Sequence, residues 1–140
     1  MSEIAHDMTI GQLSQRTGLS VHTLRFYERE GILLHPVRRT PGGSRLYSEE
    51  DAQWLTTCIV LRASGMPLPA IRTYTELVRQ GTGNEAERLA LLRDHRERVT
   101  RQLSELNRCL DLITYKVGRY EDILARASAA CWPPVEEDLR

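Results

Sequence analysis

Residues 19–47 read LSVHTLRFYEREGILLHPVRRTPGGSRLY, which parses as a capped helix, a glycine stop and a small arginine-rich hairpin. Ser20 is a favourable N-cap, and Leu19 and Leu24 take the two positions of a hydrophobic staple around it. Gly31 supplies a left-handed stop after Glu30. Beyond it, residues 36–39 (PVRR) and 44–47 (SRLY) flank Thr40-Pro41-Gly42-Gly43 and predict two short strands around a Pro/Gly turn. Arg25 and Arg29 are four residues apart and share a helix face with His22, while Leu24 and Tyr27 point elsewhere. A cationic helix face followed by a cationic hairpin suits a reader of duplex nucleic acid: the helix enters the major groove and the hairpin grips the flanking backbone.

Charge distribution supports this where net charge does not. The 140-residue chain has a formal charge of zero, yet residues 10–47 hold six arginines against two glutamates, a local +4. Eighteen of the nineteen basic residues are arginine, with Lys116 the exception. Arginine suits phosphate and guanine, but the bias reads first as genome composition. No apolar run approaches a membrane span and no signal peptide opens the chain, whose first seven residues read as a loose leader. Three cysteines (58, 109 and 131), odd in number and far apart, make no disulfide framework. The expected compartment is a reducing cytoplasm.

Outward from the opening stretch, Thr9 begins another helix, with Gln12 completing a capping box and Met8 and Leu13 a staple. That helix (IGQLSQRT) stops at Gly18, and Leu19-Ser20 leads directly into the next. Two short helices joined through a glycine turn form a helix-turn-helix signature. After the hairpin, Ser48-Glu49-Glu50-Asp51 caps a third helix containing Trp54, Leu55, Cys58, Ile59, Leu61 and Arg62, ended by Gly65. Leu68, Ile71, Tyr74, Thr75 and Val78 carry the buried spacing of a fourth, stopped by Gly81. The Gly81-Thr82-Gly83 linker reads as a hinge before a new cap at Asn84.

Positions 89, 92, 96, 99, 103, 106, 110, 113, 117, 120 and 124 then step by alternating three and four. Ten of the eleven are apolar, Arg96 being the exception. This predicts a coiled-coil helix of about 44 residues, ~66 Å long. The N-terminal portion is too small to cover such a length, so a homodimer is expected. The expected organisation is a mainly α protein: a winged helix-turn-helix DNA-binding domain with two further helices over residues 1–80, a dimerisation helix over 84–127, and a tail over 128–140 that is a candidate effector-site element.

The stretches TIGQLSQRTGLSVHTLRFYEREGIL, PGGSRLYSEED and LRASGMPLPAIRTY, followed by one long helix, resemble the MerR family of bacterial transcription regulators over about residues 8–127. The resemblance implies winged-helix dimers joined by an antiparallel coiled coil. It implies binding to promoters whose −35 and −10 elements are too widely spaced, with an effector making the protein twist that DNA for RNA polymerase. By position, Arg25, Phe26, Tyr27 and Arg45 match the family's DNA-contacting residues; His22, Thr23, Arg29, Arg38 and Arg39 complete the expected contact set. The family more often has Tyr at the places of Phe26 and Ser44, and Ser or Thr at the place of Pro67. The C-terminal half is most similar to the short aldehyde- and electrophile-responsive members, whose reactive cysteine falls at Val60 here. Cys58 lies two residues earlier, about 200° round the helix.

Each cysteine has a bland reading beside the functional one. Cys58, in an apolar helix, reads first as a small buried hydrophobe and second as a sensor thiol. Cys109 flanks the seam at Leu110. Cys131, followed by Trp132-Pro133-Pro134, is expected to be the most exposed thiol. The histidines (6, 22, 35 and 95) are scattered, and no metal site or cofactor is expected. A thiol enzyme would need a cysteine beside a base, and no such pair or catalytic residue is apparent. A coiled-coil adaptor would leave five arginines unexplained. An effector-dependent activator is therefore favoured over an effector-independent architectural or repressor protein of the same fold, with a small molecule or electrophile as the effector.

Overall fold

A computed structural model describes residues 7–131. Its order is α1 (Ile10–Thr17), α2 (Val21–Arg29), β1 (Arg38–Arg39), β2 (Arg45–Leu46), α3 (Glu49–Ala63), α4 (Leu68–Arg79) and α5 (Glu85–Cys131). The chain divides into two compact units, Met1–Val99 and Thr100–Arg140.

In the first unit the caps fall where the sequence placed them. The Thr9 hydroxyl accepts from the Gln12 N–H, and Gln12 Oε1 accepts from the Thr9 N–H, closing the capping box. Ser20 and Ser48 cap α2 and α3 through the N–H groups of Thr23 and Asp51. Gly18 (φ 80°) and Gly31 (φ 76°) take the left-handed conformation that ends α1 and reverses the chain after α2. Pro67 opens α4 with no side-chain cap; its carbonyl accepts from Ala70 and Ile71.

The core lies where α1, α2, α3 and α4 converge, with Leu13, Ile32, Tyr47, Leu55, Met66 and Ile71 fully buried. Trp54 stacks on Tyr74, ring centroids 5.6 Å apart, and its indole N–H donates to the Ile32 carbonyl at 2.7 Å. That bond fixes the chain just after α2 against α3.

The hairpin strands hold two residues each instead of four, paired Arg38↔Leu46 and Arg39↔Arg45. Pro36 has no N–H to extend the ladder, and Tyr47 commits both backbone groups to Met8, at 2.6 and 2.9 Å. Asp7 therefore does not belong to a loose leader: its carboxylate receives the Arg38 guanidinium at 2.7 and 3.2 Å. Residues 1–6 lie outside the described residues.

The 81–83 linker, read as a hinge from its glycines, is braced by the residues that follow it. Asn84, buried, donates to the Leu77 carbonyl at 2.8 Å, and Arg88 donates to Asn84 Oδ1 at 2.7 Å and to the Gly81 carbonyl. About two turns beyond Arg88, His95 is buried and its Nε2 lies 2.8 Å from Ser64 Oγ. The Ser64 hydroxyl also lies within hydrogen-bonding distance of the Val60 and Leu61 carbonyls, at 2.9 and 3.1 Å. These bonds splint the root of α5 to α3 and α4.

The described residues of the second unit are the remainder of α5. The helix runs to Cys131, four residues past the expected end at 127. Leu103, Leu106, Leu110, Ile113, Val117, Tyr120 and Leu124 of the heptad seam are each half or more exposed.

Candidate nucleic-acid interface

α2 is amphipathic, and its packing decides which side chains face outward. Leu24 and Tyr27 are buried, Thr23 and Phe26 are half-buried, and His22, Arg25 and Arg29 are exposed. Tyr27, expected among the contact residues, keeps only 6% of its surface exposed, because the spacing that buries Leu24 carries it into the core. Thr23 is drawn into the cap, its Oγ1 accepting from the Ser20 hydroxyl at 3.0 Å. Arg25 and His22 form no hydrogen bond or ion pair with the described residues. Arg29 lies over the Phe26 ring, 6.0 Å from its centroid. The outer face of α2 is thus a cationic strip backed by an aromatic side chain.

The wing arginines behave differently. Arg38 is tied to Asp7, whose carboxyl is held below the usual range chiefly by that hydrogen bond. Arg39 Nη1 donates to the Gly43 carbonyl at 2.9 Å and pins the turn. Arg45 Nε donates to Glu28 Oε1 at 2.8 Å, joining the wing to α2. Beneath them the Tyr47 hydroxyl is buried with no hydrogen-bond partner among the described residues, and burial raises its pKa.

Three further arginines join elements across the first unit through partners that the sequence does not announce. Arg16 forks onto Glu49, linking α1 to α3 and lowering the Glu49 carboxyl's pKa. Arg72 donates through Nε to the Glu30 carbonyl at 2.8 Å and pairs with its carboxylate. Arg79 donates to the carbonyls of Gly31 (2.9 Å), Leu33 and Leu34. Arg72 and Arg79 are seven apart on α4, so one face of that helix holds the C-terminal end of α2 and the chain beyond it. Their partners lie 42 to 48 residues away, and no local pattern announces them.

The thiol candidates separate. Cys58 is 1% exposed, and burial pushes its thiol up to about 12, the reverse of what a reactive cysteine requires. The face of α3 that buries Cys58 turns Val60 outward, 61% exposed. Cys109 is exposed on α5. The side chain of Cys131 lies outside the described residues. Among the described residues no group of His, Cys, Asp or Glu side chains is placed to hold a metal ion, and no helix is long and apolar enough to cross a membrane.

The model of MerR HTH family regulatory proteins matches residues 8–77, and that for MerR DNA binding matches residues 53–114. An uncharacterized HTH-type transcriptional regulator of Haemophilus influenzae is 36% identical over 120 residues, covering 86% of this chain and 88% of its own. Among solved structures, a MerR family regulator of Listeria monocytogenes superposes with TM-score 0.81 at 28% identity, covering 88% of this chain and 92% of the other. HiNmlR, a MerR family regulator lacking the sensor domain and solved bound to promoter DNA, gives TM-score 0.76 at 35% identity over 85% of this chain and 94% of its own. The chain belongs to the MerR family of helix-turn-helix regulatory proteins, DNA-binding regulators of transcription.

Proposed function

We propose that this regulator acts as a homodimer that activates a promoter by distorting it when a small-molecule or electrophile effector binds. One observation carries the reading: α5 leaves its heptad seam bare from Leu103 to Leu124, a stripe that a second copy of the helix would cover. Antiparallel pairing keeps the two Arg96 side chains apart, whereas parallel pairing in register would set them against each other in the seam. A two-fold dimer sets two α2 helices in successive major grooves, roughly 34 Å apart, with Arg25 and Arg29 facing the bases or phosphates and the wings on the flanks. Held at both flanks, the uncontacted centre can be bent or untwisted, at a smooth-bending cost of order 1–6 kcal/mol.

The splinted root of α5 supports transmission through rigid bodies. Asn84, Arg88 and His95 join α5 to α3 and α4, and Arg72 and Arg79 join α4 to α2. A tilt of α5 then turns the reading helix with it. The protein works in the cytoplasm beside RNA polymerase and is not an enzyme. The burial of Cys58 argues against it as the first point of electrophile attack and favours Cys109, Cys131 or a non-covalent ligand.

In vitro transcription tests the mechanism. Shortening the spacer of the native promoter by one or two base pairs should make it active alone and turn the protein into a repressor there. Induction that follows loss of the footprint would show ordinary derepression and contradict the distortion mechanism.

A further inference from the structure

We propose that Glu28 is a positioning residue that aims Arg45 of the wing at the DNA backbone. Arg39 and Arg45 are directly opposed across the hairpin and so share a face. Two like charges so placed repel each other. The structure separates them. Arg39 turns to the Gly43 carbonyl, and Arg45 is drawn to Glu28 on α2, 17 residues earlier in the chain. Both members of the Glu28–Arg45 pair are only 25% exposed, against 49% and 51% for Arg16 and Glu49, so water screens this pair less. The bond engages Arg45 through Nε, leaving its two Nη groups with no hydrogen bond to the described residues. A guanidinium held by its inner N–H presents its outer edge in a fixed direction, and that edge suits a phosphate. The same carboxylate fixes the wing relative to the reading helix.

The sign of one measurement decides the matter. A carboxylate on a DNA-facing surface repels phosphate, so simple electrostatics expects its removal to tighten binding. Positioning expects the opposite. The inference rests on the DNA-contacting role of the wing, which Arg45→Ala tests separately. The probe is the promoter duplex that the wild-type dimer protects in a footprint, titrated over a salt series.

Glu28→Ala should weaken binding about five- to tenfold and lower the salt slope by about one, the signature of one lost phosphate contact. Glu28→Gln keeps an oxygen acceptor for Arg45 Nε–H and should stay within about twofold of wild type. In an Arg45→Ala background, Glu28→Ala should cost nothing more. A merely structural role would lower the melting temperature without changing the salt slope. Glu28→Ala binding as tightly as wild type, or tighter, overturns the proposal. Unchanged affinity in Arg45→Ala would instead remove the wing from the DNA interface.

Discussion

Replacing Arg79 by Met tests whether α4 holds the reading helix in place. Met keeps most of the aliphatic stem and deletes only the guanidinium, which donates to the carbonyls of Gly31, Leu33 and Leu34. A hydrogen bond from a charged donor contributes about 1.5–3 kcal/mol. The bonds share one group and cannot be summed, and the side chain is 34% exposed, so water replaces part of what is lost. The net cost should be about 2–3 kcal/mol, or roughly 5–10 °C in melting temperature for a chain of this size. With a urea m-value near 2 kcal/mol/M, the midpoint should fall by about 1 M. Melts must be compared at one protein concentration, since the proposed dimer would make stability concentration-dependent. Operator affinity should fall alongside, because the chain after α2 is no longer held to α4. A melting temperature within about 2 °C of wild type would refute the clamp, the shift being too small for even one charge-assisted bond.

Brief iodoacetamide treatment near neutral pH should alkylate Cys109 and spare Cys58; rapid labelling of Cys58, read by mass spectrometry, would contradict its burial and raised thiol pKa. Tyr47→Phe removes a buried hydroxyl that lacks a partner among the described residues, so denaturant melts should show unchanged or increased stability; a loss above about 1 kcal/mol would mean the hydroxyl is satisfied. Asp7 and Glu49 have lowered folded-state pKa values, so their ion pairs stabilise fully above the ordinary carboxylate pKa and weaken as pH falls through the lowered one. Asp7→Asn should therefore flatten the loss of stability below about pH 4, as acid titration followed by circular dichroism would show.

How much of this was legible in the sequence depended on range. Thr9, Ser20 and Ser48 cap as read, because a cap is decided within four residues. The seam of α5 is legible by period alone, and its bare leucines lie where the three-four alternation put them. The outward face of α2 is readable for Arg25 and Arg29, whereas Tyr27, which the family resemblance puts in the contact set, lies inward at its spacing from Leu24. What escaped is long-range. Nothing near Arg72, Arg79, Arg45 or Arg38 in the chain names Glu30, Leu33, Glu28 or Asp7 as a partner. The 81–83 linker looked flexible because glycine was the only local signal, while the groups that brace it belong to Asn84 and Arg88.

The central claim is that the exposed face of α2 reads the promoter, and Arg25 is its most direct test. Arg25 lies in the second turn of α2, is exposed, and has no hydrogen bond or ion pair to the described residues to lose, so Arg25→Ala should leave stability unchanged. Gel-shift titration at fixed salt should then show promoter affinity reduced by about 1–3 kcal/mol, roughly 5- to 150-fold, if Arg25 reads a base. Binding to unrelated duplex should change much less. Promoter affinity equal to wild type, with the fold intact, would contradict the account and remove α2 as the reading head.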